Sequence, residues 1–208
     1  CGSIMTIIDP AKNGMPKLSR ERAKLGFFCC FGNNLRYHVY WDLKSPKVLK
    51  RSYHSIVEDY LNNELDLKKY TKFPLPVLMF QHSRDVLDHI NNIYLQEAAL
   101  YSNHLEMAGR VDCIAEFDGV LSIIDFKTAA EPKREKYLYD YFVQETAYAC
   151  MLQELYGLSV KQLVTIVACE NGETQVKVLP PKKEFFMKLM SYIDEYQERY
   201  GEKTIIRG

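Results

Sequence analysis

Residues 109–128 read GRVDCIAEFDGVLSIIDFKT, two runs rich in β-branched and aromatic residues around Asp118-Gly119. Asp-Gly is a strong two-residue hairpin signal, because a type I′ turn needs positive φ at both central positions. If Phe117 and Val120 close that turn, Asp112 lies opposite Asp125 and Arg110 lies opposite Lys127. Side chains alternate between faces. Asp112, Ile114 and Glu116 therefore share a face with Leu121, Ile123, Asp125 and Lys127, while Val111, Cys113, Ala115 and Phe117 take the other with Val120, Ser122, Ile124 and Phe126. Both faces are largely apolar, as in a sheet covered by helices on both sides.

Like charges directly opposite in a sheet, with Cβ atoms about 4.5–5.5 Å apart, are destabilising. Two carboxylates so placed must share a proton or bind a cation. A hard, oxygen-seeking ion such as Mg²⁺ or Mn²⁺ turns the repulsion into a site. Lys127, two residues beyond Asp125 on the same face, adds a positive charge beside it. Carboxylates, a divalent ion and a lysine suit attack of water on a phosphodiester, where negative charge builds up in the transition state. Spacing alone leaves a second reading on equal footing, a charged pair frayed at the solvent end of the hairpin.

At 208 residues the chain is long enough for a substantial core and is expected to form one domain. The expected parts are an N-terminal helical extension (1–50), a core (51–180) and a C-terminal helix and tail (181–208). Formal net charge is +0, which excludes a strongly basic coat and makes any nucleic-acid surface a local one. No apolar run approaches the roughly 18 residues of a membrane span, so no membrane partner is expected. The six cysteines form no C-x-x-C pair, which argues against zinc and iron–sulfur clusters. They read as reduced thiols of an intracellular protein and not of a secreted one.

The flanking sequence fits this frame. KLSRERAKLGFFCCFG reads as a helix capped by Ser19, YHVYWDL as an aromatic-rich segment, and residues 51–65 as a helix carrying Ile56, Val57, Tyr60 and Leu61. KFPLPV reads as a loop before a second helix around 83–95, with Val86, Leu87, Ile90 and Ile93 on one side. Residues 96–102 fit either an extension of that helix or a short strand. After the hairpin comes a charged loop, then a helix from Leu138 to Tyr156 that stops at Gly157. Strands at 162–170 and 174–180 flank Asn171-Gly172, and Pro181 opens a terminal amphipathic helix. The order is that of an α/β protein on one mixed sheet.

With Asp112, Asp125-Phe126-Lys127 and the following helix in view, the chain resembles the PD-(D/E)XK nuclease superfamily in its RecB-type exonuclease branch. The motif residues are Gly109-x-x-Asp112, Asp125-x-Lys127-Thr128 and Gln144-x-x-x-Tyr148, with Glu97 and His54 upstream. Within the branch the VDCIAEF…IDFKT hairpin looks most like that of mitochondrial genome maintenance exonuclease and its phage relatives, over roughly residues 50–170. The resemblance implies a restriction-endonuclease-like core, a mixed central β-sheet flanked by helices on both faces. It implies one or two Mg²⁺ or Mn²⁺ ions held by Asp112, Asp125, the backbone carbonyl of Phe126 and Glu97, with His54 as a further candidate. Lys127 would orient the attacking water, and a ligand role for Glu97 favours the strand reading of 96–102. Gln144 and Tyr148 would face the site and contact DNA or position Lys127, with Thr128 among the substrate contacts.

Each position also has a plainer reading. His54 has Glu58 one turn on and fits a surface pair. On a helix, Glu97 would fall on the stripe with Ile90 and Tyr94, where a charge needs a partner. Gln144 and Tyr148 fit helix surface and core. Lys133, Arg134 and Lys136 fit a solvated loop, or contacts to the phosphates of an incoming strand. Tyr137, Tyr139 and Tyr141, beside that loop, are candidates for base stacking. The expected activity is hydrolysis of DNA from single-stranded ends or flaps, in replication, repair or recombination. The competing expectations are a duplex-processing exonuclease or endonuclease of the same superfamily, and a catalytically silent binding module. The intact Asp112, Asp125 and Lys127 set disfavours the last.

Overall fold

The Asp118-Gly119 turn has φ of +52° and +76°, as a type I′ hairpin requires. The computed structural model describes residues 46–200, so the expected helix capped by Ser19 and the YHVYWDL segment lie outside the described residues. Helix α1 (Pro46–Leu61), a 3₁₀ turn (Leu67–Tyr70) and helix α2 (Pro74–Leu87) precede strands β1 (Ile90–Ser102), β2 (Met107–Phe117) and β3 (Val120–Ala129). Helix α3 (Glu135–Tyr156), strands β4 (Gln162–Cys169) and β5 (Thr174–Leu179) and helix α4 (Lys183–Tyr200) follow. The strands form one sheet in chain order, antiparallel throughout except for the parallel β3–β4 pair. That parallel step needs a long crossover, and α3 supplies it.

Helices cover both faces. Ile114, Ile123, Leu163 and Val167 pack against Phe142, Val143 and Met151 of α3 and Phe185 and Leu189 of α4. On the other face Cys113, Ala115, Ile124 and Phe126 meet Tyr53, Ile56 and Val57 of α1 and Met79 and Phe80 of α2. Gly157 ends α3 with φ +69°, as its sequence position predicts. Among the described residues no helix is long and apolar enough to cross a membrane.

Two expectations fail upstream of the hairpin. KFPLPV is not a loop, because Pro74 opens α2 at a position whose N–H has no helical partner. Nor does a helix run over 83–95: α2 stops at Leu87 and β1 starts at Ile90. The apolar positions there fit either period, and pairing with β2 decides. Asn91 and Asn92 are weak helix formers, and Asn92 adopts φ +44° at a shift in the β1–β2 register. Residues 96–102 are therefore strand, the reading that the resemblance favoured.

The β2–β3 register matches the expectation from Phe117–Val120 to Cys113–Ile124, and there the ladder stops. Beyond it β2 pairs only with β1, and β3 pairs with β4. The expected oppositions of Asp112 with Asp125 and of Arg110 with Lys127 are thus both absent from the ladder, because the two strands part before reaching them. Strict alternation also fails. Cys113 lies on the α1–α2 face, but Val111 packs with the α3–α4 cluster, as does its β1 partner Ala98. Opposite Cys113, Gln96 donates to the Glu58 carbonyl of α1. Both strands change face across the intervening residues, Glu97 and Asp112, and Glu97 takes φ +46°.

The turn gives a direct check on this hairpin. A Cβ at Gly119 would meet nothing within 4 Å, so its cost is backbone conformation alone. Gly119→Ala should destabilise by about 1–2 kcal/mol in urea unfolding with an unchanged slope.

Candidate active site

Parting of β2 from β3 leaves backbone groups without ladder partners, and the site is built where they are satisfied. The Phe126 N–H donates to Asp112 Oδ2 at 2.9 Å. On β2 the Tyr148 hydroxyl donates to the Arg110 carbonyl at 2.8 Å, and Gln144 Nε2 donates to the Tyr148 oxygen at 3.2 Å. Asp112 and Asp125 are 4% and 2% exposed, which rules out a pair frayed into solvent. Lys127 is buried as well and forms an ion pair with Asp125.

Helix α1 brings His54 to the same place. Its Nδ1 lies 3.9 Å from Asp112 Oδ2, so the surface pairing with Glu58 gives way to a contact with the hairpin. The ring stands edge-on to Phe126, centroids 6.3 Å apart. Burial first, then Lys50 and Lys127, drives the His54 pKa down to about 3, which leaves a neutral imidazole able to act as a ligand. Burial first and Asp112 second push Glu97 up to about 7.

One donor atom each from His54, Glu97 and Asp112 lie within 4.8 Å of one another. His54 Nε2 is buried without a hydrogen-bond partner among the described residues. Two hard carboxylates and one borderline imidazole form a donor set able to hold a divalent cation. Burial opposes the charge of Lys127, yet Asp125 and Asp112 outweigh it and hold the ammonium above its ordinary range. Burial also raises the Asp125 carboxyl, against the pull of Lys127.

Other expected residues are placed differently. Tyr148 is buried, so its hydroxyl braces β2 and presents no surface to a strand of DNA. Thr128 is half-buried at the β3–β4 pairing, beside Ala168. Lys133 is pinned: Gln175 bonds both its N–H and its carbonyl, and its Nζ donates to the Tyr141 hydroxyl at 2.7 Å. The Tyr141 ring carries Lys127 Nζ at 4.9 Å and Lys133 Nζ at 5.2 Å, so it serves two lysines and no base. Tyr139 packs on Phe185 and is likewise spent. Arg134, Lys136 and Tyr137 are exposed, with Lys136 Nζ 4.8 Å from the centroid of the Tyr137 ring.

Sequence reasoning missed two groups. Lys50 lies one turn before His54 on α1, and its charge is felt at Asp112, Asp125 and Lys127; burial and Lys127 lower its pKa. Glu145 is fully buried behind Asp125. It accepts from Thr165, the β4 partner of Asp125, and its Oε2 has no partner among the described residues. Burial, then Asp125, raises it well above the usual carboxylate range. A signal was present, since Glu145 falls on the same α3 stripe as Leu138, Phe142 and Leu152.

The family model of the PD-(D/E)XK nuclease superfamily matches residues 35–202, and the chain belongs to that superfamily. It is 23% identical over 161 residues to mitochondrial genome maintenance exonuclease 1 of Homo sapiens and 26% identical over 157 residues to that of Mus musculus. These matches cover 74% and 72% of this chain but 47% and 46% of the relatives, so the chain spans about half their length. A candidate exonuclease of known structure from Eubacterium rectale shares the fold at 9% identity, with a TM-score of 0.53 over 77% of this chain and 68% of its own. Nucleases of this superfamily use divalent metals.

Glu145 yields a pH prediction. Its folded pKa is raised, so the stability it allows is full below its ordinary pKa of 4.5 and is lost as pH rises through the folded value. In EDTA the wild type should therefore melt at progressively lower temperature from pH 5 to pH 8. Glu145→Gln should melt about 2–4 °C higher than wild type at pH 8, with the gap closing toward pH 5.

Proposed function

We propose that the protein is a Mg²⁺- or Mn²⁺-dependent deoxyribonuclease that hydrolyses phosphodiester bonds at single-stranded DNA ends or flaps. The observation that carries this reading is the buried grouping of Asp112, Asp125 and Lys127 where the hairpin parts, with His54 and Glu97 alongside. Burying this many ionisable groups is costly unless they act together, and such sites concentrate at catalytic centres. The names of the relatives, exonucleases of mitochondrial genome maintenance, support the choice of DNA and of end-directed cleavage.

Asp112, Glu97 and His54, with Asp125 and the Phe126 carbonyl, would hold the metal. When bound, such an ion would supply Lewis acidity toward a phosphate oxygen and would make a nearby water easier to deprotonate. Lys127 stays protonated between Asp125 and the Tyr141 ring. It holds the attacking water and meets the negative charge that grows on the phosphorus oxygens. The Phe126 N–H fixes one Asp112 oxygen, which keeps that carboxylate aimed into the fork.

Single-strand preference rests on the rim beside the site. There exposed Arg134 and Lys136 stand with Tyr137, cations and one open aromatic face, the combination that tracks a flexible strand. A zero net charge leaves little for long-range capture of a duplex.

Cleavage of linear single-stranded DNA should require Mg²⁺ or Mn²⁺ and stop in EDTA. Lys127→Ala should lower turnover by about 10²-fold or more while the protein still binds DNA, because the lysine acts on charge that appears only in the transition state. Wild-type turnover by the alanine variant would overturn the assignment.

In the Lys127→Ala background, replacing Arg134 and Lys136 by alanine should weaken DNA binding and reduce the slope of log affinity against log salt by about 1.4. Replacing Tyr137 should weaken binding and leave the slope unchanged.

A further inference from the structure

Arg110 stands two residues before Asp112 on β2, and its Nε lies 2.7 Å from Glu97 Oε2 on β1. Both partners are held by their backbones. The Arg110 carbonyl takes the Tyr148 hydroxyl bond, and Glu97 sits between the paired positions Gln96–Cys113 and Ala98–Val111. The pair is partly sheltered, with side chains 29% and 19% exposed, so water screens it incompletely. Glu97 is also one of the three donors of the His54–Glu97–Asp112 cluster. One carboxylate therefore faces two claims, from a neighbouring guanidinium and from a divalent ion.

Those claims conflict. Residues that orient a metal-bound ligand are typically carboxylates, carbonyls or water, which add no positive charge beside the ion. A guanidinium is always protonated and brings a full charge to the oxygen it holds. An ion approaching Glu97 must either displace Arg110 or bind against its repulsion, and both outcomes weaken the complex.

We propose that Arg110 is an internal counter-ion that competes with the divalent metal for Glu97, holding the cluster together in the metal-free protein and lowering its affinity for the ion. This rests on the reading of His54, Glu97 and Asp112 as a cation site. Without Arg110, the two carboxylates on adjacent strands would be left to repel each other whenever the metal is absent.

The test is titration of the DNA-free protein with Mn²⁺ by calorimetry at fixed pH and salt, paired with melting in EDTA. Arg110→Gln should bind Mn²⁺ roughly three- to tenfold more tightly than wild type, the size of a partly buried charged contact, and should melt at a lower temperature in EDTA. If the glutamine variant fails to fold, Arg110→Met keeps the packed stem, loses the charge and carries the same expectation. In a Glu97→Gln background the gain should disappear. Unchanged or weaker Mn²⁺ affinity in a folded neutral variant overturns the proposal and makes Arg110 a support for Glu97. Asp112→Asn separates the two levels. If it binds Mn²⁺ as wild type does, the cation site itself is misplaced and this inference falls with it. If it loses binding while the Arg110 variants gain nothing, the inference alone fails.

Discussion

The hydrogen bond from the Phe126 amide to the Asp112 carboxylate organises this molecule. It forms where the β2–β3 ladder ends, at the step where a backbone carbonyl would otherwise accept. A side chain in that place lets the two strands separate while the amide stays satisfied, which a buried N–H must be. Separation opens a fork in the middle of the sheet, a position sealed by helices on both faces. Charged groups can gather there without lying on the surface. The Arg110 carbonyl of β2 accepts from Tyr148, so one phenol on α3 braces the strand that carries Asp112.

Such a fork explains why the site can be both buried and ionised. Isolated charges in that position would be expelled or neutralised. Each is answered differently here. Asp125 is paired with Lys127, Glu97 with Arg110, His54 is kept neutral by burial and neighbouring lysines, and burial holds Glu145 above the usual carboxylate range. Four groups on four elements are thus mutually dependent. Removing one alters the protonation or pairing of the others, and for that reason single substitutions at this centre should not act additively.

How far the sequence revealed this depended on whether a feature was local. The Asp118-Gly119 turn fixed the register of β2 and β3 because its chemistry and the alternating pattern agree within ten residues of each other. Gly157 marked the end of α3 for the same reason. Residues 88–95 misled because Ile90 and Ile93 suit a helical period as well as a strand, and only β2, which lies beyond a turn, decides. Glu97 shows the same dependence, since its φ of +46° arises from a change of face shared with Asp112 on another strand. Lys50, Glu145 and the Arg110–Glu97 pair were invisible as a set because they come from separate elements. Only Glu145 announced itself, as a charge on an apolar helical stripe.

The charged loop after the hairpin shows where composition misleads in the other direction. Lys133, Arg134 and Lys136 look equivalent in sequence, three cations within four positions. Gln175 of the edge strand β5 clamps both backbone groups of Lys133 and turns its ammonium onto the Tyr141 hydroxyl. Two positive charges, Lys133 and Lys127, then share one aromatic ring, which is tolerable because the ring face and the phenol oxygen are both electron-rich. Lys133 thereby belongs to the packing around Lys127, whereas Arg134 and Lys136 project from the start of α3 into solvent. The boundary between the buried charged cluster and the exposed surface falls inside this short loop. Its position is set by a glutamine more than forty residues away.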